Sequence, residues 1–485
     1  MNPIRKLFGQ TAAYGLPSIL GRLLNYLLVP LHTYFMKPEI YGVVSELYSW
    51  VAFLIVFLTF GQETAFFRFS NLKETAKENV FKSSFATVIG INLFFLMIVL
   101  LALKPISAAM LYQDHPEYIL LVAFIIAIDA TSALPLAKLR SEEKTKKFVT
   151  IQMVSILINI VMNVILLTFF FDDEHPEVGV LYILLANLFA SLTKPLMMLN
   201  DFIKIDLNLD FSLIREMLKY SFPLVIAGFA GIVNETMDRI LLKFVSINAG
   251  MTTEAALFQV GVYSACYKLA MLISIFLQAY RYASEPFFFK LKQSTDEKKV
   301  YGKVMNYFVA IVILFFLLVS LNLPVLKYFI SNHTYWEGLK VVPILLIANI
   351  FLGIYYNQSI WYKLSGQTKF GAMIAIIGAV ATIVLNIVFI PKYGYIACAW
   401  TTMVVYLVQM IISYFLGQKY YPIKYNLTKF FTYLALGVLL FFAAGIWEGK
   451  MSVWAELILN NLLIAAFVGF ILRVEKPLKN LKKAI

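Results

Sequence analysis

The chain has 485 residues, of which 61% are hydrophobic and only 14% are charged, whereas soluble domains are roughly half apolar and a quarter charged. This composition excludes an ordinary soluble enzyme, and two cysteines are too few for a disulfide framework. The formal net charge of +13 is compatible with nucleic-acid binding, so the positions of the basic residues decide how to interpret it.

Long uncharged stretches recur along the whole chain. Segments of 18 or more apolar residues are typical of transmembrane helices, and these are apolar on all sides, unlike the alternating strands of membrane barrels. The opening "MNPIRKLFGQ" is followed by too long an apolar stretch for a signal peptide, so it should lead into the first span. We predict fourteen spans, at 11–35, 39–62, 83–103, 118–137, 148–171, 178–199, 218–243, 259–284, 304–326, 341–362, 370–391, 394–417, 428–447 and 453–472.

The loop charges predict the orientation of these spans. An even number of spans places both termini on one side, and most of the 41 Lys and Arg residues fall in the segments on that side. An opposite loop, "DDEHPEV", is acidic. By the positive-inside rule both termini are cytoplasmic, which explains the basic balance without nucleic acid. Short loops on both sides leave no sizeable soluble domain.

Similar motifs occur in the two halves of the chain. "YGLP" at 14–17 opens the first span and "YSFP" at 220–223 opens the seventh. "IYGVVSELYSW" at 40–50 begins the second span and "QVGVYSACYKL" at 259–269 begins the eighth. Both copies start on the same side, which indicates a parallel repeat. The predicted units are an N-lobe of six helices (1–213), a C-lobe of six helices (214–424), and helices 13–14 with a cytoplasmic tail (425–485).

Charged residues inside spans are costly and usually face the bundle interior or an aqueous cavity. Four of them, Arg22, Glu46, Asp129 and Lys268, lie near mid-membrane, ~11–17 Å along their helices. Arg22 and Lys268 come from equivalent helix pairs of the two halves, which suits binding of a shared anionic ligand. Glu46 and Asp129 would either pair structurally or couple transport to an ion gradient.

Two further bases, Lys194 and Arg281, lie near the cytoplasmic ends of spans 6 and 8. Long basic side chains there can extend to the membrane surface. The alternative is that they form the cytoplasmic mouth of the same substrate cavity.

The segment "NETMDRILLKF" at 234–244 places charges in the outer third of span 7. Glu235 and Arg239 are spaced i,i+4 with the acid first, which favours a pair along one helix face. Asp238 lies ~100° around the helix from Arg239 and can reach another neighbour. We interpret the cluster either as a self-neutralised pair or as an outer gate or coupling site.

Pro17 and Pro223 fall early in the first helix of each predicted lobe. Proline frees a backbone carbonyl and permits bending. These positions are therefore predicted hinges, unless they reflect only the general tolerance of proline in membrane helices.

The sequence lacks the usual signatures of catalysis. There is no Gly-x-x-x-x-Gly-Lys-Ser/Thr phosphate loop and no HExxH motif, and the four histidines have no metal-ligand spacing. No cofactor or metal is expected, apart from a coupling H⁺ or Na⁺, and we predict that the protein is not an enzyme.

Three stretches resemble one protein family: "YSFPLVIAGFAGIVNETMDRILLKF", "VGVYSACYKLAMLISIFLQAYRYASEPFFF" and "QTKFGAMIAIIGAVATIVLNIVFIPKYGYIACAW". With the predicted 6+6+2 arrangement, they resemble the polysaccharide-transporter branch of the multidrug/oligosaccharidyl-lipid/polysaccharide (MOP) superfamily, in particular Wzx-type flippases of O-antigen and other surface glycans. The resemblance covers nearly the whole chain and is sharpest at "Asp-Arg", 238–239. It implies an all-α, MATE/MurJ-like fold with a central cavity lined by helices 1, 2, 7 and 8.

The resemblance also implies a function. An undecaprenyl-diphosphate-linked oligosaccharide, an O-antigen, capsule or related lipopolysaccharide precursor, would cross the bacterial inner membrane by alternating access. Arg22 and Lys268, with Arg281 and Lys194 at the mouth, would bind the diphosphate. Glu46, Asp129, Glu235, Asp238 and Arg239 are the coupling or gating candidates. The expected partners are membrane lipids and glycan polymerase or ligase machinery. Nucleic acid is not expected to bind, and the protein is expected to be a monomer.

Several alternatives remain at this point. A multidrug/cation antiporter would favour an acidic cavity, whereas buried bases here are at least as numerous as buried acids. A lipid II-type or teichoic-precursor exporter would share the fold. A membrane glycan ligase or polymerase usually needs a large outer loop, and the longest outside connection predicted here, 244–258, is mostly small and apolar. A scaffold for other biosynthetic enzymes is the remaining non-catalytic alternative.

Overall fold

A computed structural model describes residues 19–21, 23–72, 77–199, 209–291 and 297–475. Two of the predicted site residues, the hinge Pro17 and the substrate-binding Arg22, lie outside the described residues. Throughout the described part of the chain the regular secondary structure is helical, which confirms the predicted all-α class.

In the described part of the chain, eighteen α-helices have defined bounds, and they are numbered in chain order. They are α1 (Leu28–Phe35), α2 (Pro38–Thr59), α3 (Gln62–Phe69), α4 (Lys77–Leu101), α5 (Leu103–Ala109), α6 (Pro116–Ser141), α7 (Thr145–Phe169), α8 (Val178–Met197), α9 (Phe211–Asn248), α10 (Thr253–Leu291), α11 (Glu297–Ser320), α12 (Leu323–Leu326), α13 (Val341–Gln358), α14 (Ile360–Leu364), α15 (Lys369–Tyr393), α16 (Tyr395–Tyr420), α17 (Leu427–Ala444) and α18 (Val453–Glu475). Two 3-10 segments, Lys327–Phe329 and His333–Lys340, lie between α12 and α13.

Among the described residues, 13 helical segments are long and apolar enough to cross a membrane. They correspond one to one to predicted spans 2–14. Of the first predicted span, 11–35, residues 28–35 form α1 and part of the remainder lies outside the described residues. The protein is therefore a multi-pass membrane protein.

Two helices extend far beyond their predicted spans. α9 has 38 residues and α10 has 39, which at 1.5 Å per residue is nearly twice the ~30 Å hydrocarbon core. The predicted outer connection 244–258 is consequently wrong, because α9 continues to Asn248 and α10 begins at Thr253. The chain reverses direction there in a short turn.

The second predicted span ends at a backbone break. Phe60 (φ 47°) and Gly61 (φ 63°) both adopt the left-handed conformation between α2 and α3. Glycine tolerates this conformation, whereas it is uncommon for a residue such as phenylalanine. α9, in contrast, runs without interruption through Pro223, so the hinge role of Pro223 remains a prediction.

The chain divides into two compact units. The first consists of the residues up to Ser264 together with Ala379–Cys398, and the second of Ala265–Gly378 and Ala399–Ile485. The lobes predicted from the repeat (1–213, 214–424 and the appended 425–485) remain a prediction. Within the first unit, 61% of the most apolar stretch of α6 is buried, compared with 17% of that of α7. This difference is expected between an inner helix and a lipid-facing helix.

Candidate functional site

A fully buried ion pair lies in the first unit, near the predicted outer ends of α2 and α9. Lys243 Nζ is 3.0 Å from Glu46 Oε2, and both side chains have 0% exposure. Glu46 is about 12 Å from the start of α2, and Lys243 is roughly 8 Å from the end of α9. A buried ion pair is favourable only when its remaining polar atoms are also bonded, so the neighbours of both groups matter.

Those neighbours satisfy both charges. Trp50 Nε1 donates to Glu46 Oε1 over 2.7 Å, and the Tyr112 hydroxyl donates to Glu46 Oε2. Lys243 Nζ also donates to the carbonyl oxygen of Met110 over 2.7 Å and lies 3.8 Å from the centre of the Tyr112 ring. Tyr112 therefore contacts both charges, through its hydroxyl and through its ring face.

Tyr112 lies outside the spans, in the turn between α5 and α6. Burial, followed by the negative charge of Glu46 and the hydrogen bond to it, holds the pKa of the Tyr112 phenol well above its ordinary value. The hydroxyl therefore stays protonated and remains a donor to Glu46 across the physiological pH range.

A second buried cluster joins α9 to α10 within the first unit. Asp238 Oδ1 is 3.0 Å from Arg239 Nη1, and Tyr263 OH donates to Asp238 Oδ2 over 2.6 Å. Arg239 Nη1 also donates to the backbone carbonyl of Glu235 over 3.1 Å. The i,i+4 spacing predicted a pair between the side chains of Glu235 and Arg239, but Asp238 is the carboxylate that Arg239 pairs with here, because Tyr263 anchors Asp238 beside it.

A close backbone contact between α2 and the start of α10 is made at two glycines. A Cβ added to Gly42 would lie 2.0 Å from the carbonyl oxygen of Leu257, and one added to Gly261 would lie 1.8 Å from that of Pro38. Real Cβ atoms essentially never approach other atoms within 3.0 Å. Only glycine permits this approach of two helix backbones.

The two contacts are made by residues at equivalent positions of the sequence repeat. Gly42 and Gly261 occupy the same place in "IYGVVSELYSW" and "QVGVYSACYKL", and Pro38 and Leu257 are separated by the same number of residues as the two glycines. Each glycine therefore meets the residue four positions before the other. We call this pair of contacts the glycine crossing.

Asp129 and Lys194 form an ion pair between α6 and α8. Lys194 Nζ donates to Asp129 Oδ1 over 2.8 Å, and both side chains are largely buried. From the sequence, Lys194 was expected to bind substrate and Asp129 to pair structurally or couple transport to an ion gradient. The structure brings these two predicted site residues together as partners.

The remaining predicted bases lie on the second-unit part of α10. Lys268 is half-buried. Arg281 is exposed, and its guanidinium carbon lies 4.3 Å from the centre of the Tyr356 ring. A guanidinium carries its donors in a fixed fork that matches the oxygens of a carboxylate or phosphate.

Sequence reasoning missed Lys243, Tyr112 and Tyr263. Lys243 was the last residue of the predicted seventh span, and a base at a span boundary is normally interpreted as an interfacial group. The apolar flanks in "RILLKFVSIN" were the signal that it lies deeper. No local sequence pattern predicts the role of Tyr112, because its partner Glu46 is 66 residues away in the chain.

Comparison with known proteins assigns this chain to a family. A family described as "Polysaccharide biosynthesis protein" matches residues 9–292, which is more than half of the chain. None of the curated proteins gives a significant match.

Solved structures show the same fold at low sequence identity. A "Lipid II flippase MurJ, inward closed conformation" superposes with a TM-score of 0.68 and 16% identity, covering 94% of this chain and 98% of that chain. An outward-facing multidrug resistance MATE transporter of the MOP superfamily gives a TM-score of 0.58 at 16% identity, covering 86% and 98%. An inward-facing MATE transporter gives 0.55 at 15% identity, covering 85% and 93%.

The family match and the shared fold agree with each other and with the arrangement of helices. The chain belongs to the polysaccharide biosynthesis protein family and is a multi-pass membrane protein with the fold of the flippases and transporters of the MOP superfamily.

Proposed function

We propose that the protein moves an undecaprenyl-diphosphate-linked oligosaccharide, such as an O-antigen or capsule precursor, from the inner to the outer leaflet of a bacterial cytoplasmic membrane. The family match supports a role in polysaccharide biosynthesis. The higher TM-score to a flippase of lipid II than to the multidrug transporters favours a lipid-linked substrate over a soluble cationic drug.

The observation that carries the mechanism is the glycine crossing. It joins α2 to the start of α10, which are the predicted outer ends of helices 2 and 8. A substrate headgroup released outward would have to pass between elements that are in backbone contact in this conformation. We therefore propose that the crossing separates during each transport cycle and that its closed form prevents leakage to the outside.

The Glu46–Lys243 pair is proposed to lock the crossing. Glu46 is one helical turn beyond Gly42 on α2, and its partner Lys243 is on α9. Loss of either charge would leave the other buried without compensation, which is strongly unfavourable, so the pair would hold the outer parts of α2 and α9 together while the crossing is closed. An H⁺ or Na⁺ gradient is the proposed energy source for opening it.

Arg281 and Lys268, together with Arg22, remain the proposed binding groups for the diphosphate. Arg281 is exposed and stacked on Tyr356, and guanidinium groups match phosphate oxygens with paired hydrogen bonds. Asp129 and Lys194 are assigned a structural role instead, because they satisfy each other.

A deletion strain tests the function. Loss of the protein should leave lipid-linked oligosaccharide facing the cytoplasm, and wild type should restore export whereas Arg22→Ala should not. The alternative of a glycan ligase or polymerase predicts instead that purified protein forms glycosidic bonds. The proposal fails if outward-facing lipid-linked oligosaccharide stays at its normal level in a deletion strain that has no second exporter.

A further inference from the structure

A cavity of about 720 Å³ lies within the second unit, and none of the charge pairs or predicted site residues described above lines it. It is lined by the ends of α11 and α17, the starts of α13 and α18, α12, the two 3-10 segments and the turn between α17 and α18. Ligand pockets of proteins have volumes of roughly 300–1,000 Å³, so this cavity is large enough for a small molecule or a lipid headgroup with the first part of its chains.

Buried polar side chains fix the shape of this cavity. Glu456 Oε1 accepts the backbone N–H of Gly449 over 2.6 Å. Asn460 accepts from Trp447 Nε1 over 3.0 Å and donates to the carbonyl oxygen of Leu321 over 2.7 Å. These bonds hold the α17–α18 turn against the end of α11. The cavity wall is therefore preorganised rather than a loose loop.

Two lysines line the cavity. Lys327 Nζ lies 4.7 Å from the centre of the Trp336 ring and 5.4 Å from that of Tyr328, which orients its ammonium group. Lys340 is exposed and lines the same cavity. Of the two acids in the lining, Glu456 is engaged by Gly449, and Glu448 is exposed in the turn.

The surroundings of the cavity are those of a membrane surface. Phe442, Ile446, Met451 and Trp454 expose between 51% and 78% of their side chains, although they adjoin two spanning helices. Exposed tryptophan and apolar residues at helix ends are typical of the boundary between lipid and water. The loop charges place this end of α17 and α18 on the outer side.

We propose that this cavity binds an anionic glycerophospholipid of the outer leaflet. The phosphate contacts the ammonium groups of Lys327 and Lys340, and an acyl chain lies along the apolar wall that includes Phe441 and Phe442. A free phosphate would leave this apolar wall unused. Its lining residues are not among those of the proposed transport path, and the proposal does not depend on the identity of the transported glycan.

Native mass spectrometry of the whole protein tests this site, with equal amounts of phosphatidylglycerol and phosphatidylcholine as probes. Wild type should retain phosphatidylglycerol preferentially. Since each lysine near a membrane surface contributes about 1 kcal/mol to binding of anionic lipid, Lys327→Gln/Lys340→Gln should lose at least about tenfold in bound phosphatidylglycerol. The charge-preserving Lys327→Arg/Lys340→Arg variant should retain the lipid. Its retention would also show that the protein still folds when both lysines of the cavity are replaced.

Lys392→Gln is the matched control. Lys392 is also at a predicted outer helix end and lies 5.2 Å from the ring centre of Tyr393, but it does not line the cavity. Its replacement should leave lipid retention unchanged. Equal retention by the double glutamine variant, equal retention of phosphatidylcholine, or complete displacement of the lipid by millimolar inorganic phosphate would each overturn the proposal.

Discussion

Gly42 and Gly261 contact each other's helices reciprocally: each faces the carbonyl oxygen of the residue four positions before the other, at Leu257 and Pro38. The same relationship links them in the sequence repeat. A two-fold related contact of this kind lets two helices close symmetrically with almost no side-chain rearrangement. It also makes closure sensitive to a single methyl group on either side.

Gly42→Ala and Gly261→Ala should prevent the predicted outer ends of α2 and α10 from closing. The added Cβ would overlap a backbone oxygen, which cannot move aside as a flexible side chain can. A cysteine at the buried Ser264 should then react several-fold faster with a membrane-impermeant maleimide added from outside. The measurement is the labelling rate in intact cells.

Gly231→Ala provides the matched control for this experiment. A Cβ at Gly231 would meet no atom within 4 Å, and alanine is the better helix former. Its labelling rate should equal that of the parent, in a background where Cys266 and Cys398 are replaced by alanine. If the crossing variants labelled no faster than Gly231→Ala, the crossing would not be an outer closure.

Glu46→Gln and Lys243→Met should each destabilise the protein strongly. Removing one member of a buried ion pair leaves the other charge uncompensated, which typically costs about 3–5 kcal/mol. The double variant should lose less than the sum of the two single losses, because no charge is then left in the apolar interior. Thermal unfolding of the three purified variants in one detergent measures this. Additive losses would show that the pair is not coupled.

Tyr112→Phe should be milder than Tyr112→Leu. Phenylalanine keeps the ring face beneath Lys243 and loses only the hydroxyl that donates to Glu46, a bond to a charged group worth about 1.5–3 kcal/mol. Leucine removes both contacts. The melting temperatures of the two variants provide the comparison, and equal values would mean that the ring contact with Lys243 contributes nothing.

The sequence predicted the spans well because hydrophobic length is a local property. Predicted spans 370–391 and 453–472 match α15 and α18 to within a few residues. The repeat was also visible, because each copy is a short motif. Both glycines of the crossing lie within these motifs, but nothing in the motifs indicates that the glycines meet. The break at Phe60–Gly61 lay at the end of a predicted span, where an apolar pattern does not distinguish a break from a helix end.

The charge pairs could not be predicted in the same way. Glu46 and Lys243 are 197 residues apart, and Asp129 and Lys194 are 65 apart. Helical spacing suggests candidate partners within one helix, and for Arg239 it pointed to Glu235 rather than to Asp238, the carboxylate with which Arg239 pairs. It gives no information about partners on other helices. Tyr263 then decided which neighbouring acid Arg239 pairs with.

Exchanging the charges of Asp129 and Lys194 tests whether their pair is structural. Lys194→Asp alone places two acids together and should abolish transport by destabilising α6 and α8. Asp129→Lys/Lys194→Asp should restore a substantial fraction of activity, because an ion pair can form in either direction. If the exchanged protein folds but transports nothing, the pair is not only structural, and Lys194 takes part in substrate binding.

Arg281→Ala should weaken binding of undecaprenyl diphosphate more than Arg281→Lys does. Lysine keeps the charge but loses the paired hydrogen bonds of the guanidinium and much of its stacking on Tyr356. Titration of the purified variants with undecaprenyl diphosphate gives both dissociation constants. The Lys392→Gln variant, changed at a predicted outer helix end, should bind as wild type does. Unchanged affinity in Arg281→Ala would remove this residue from the proposed site.

The most direct test of the account is translocation of a lipid-linked oligosaccharide in proteoliposomes. Purified protein is reconstituted with undecaprenyl-diphosphate-linked glycan, and the fraction that becomes accessible to a glycosidase on the far side is followed over time. The account predicts that wild type and Gly231→Ala raise this fraction well above that in empty liposomes, and that Gly42→Ala/Gly261→Ala does not. A wild-type rate equal to that of empty liposomes, in vesicles with and without an imposed proton gradient, would contradict it.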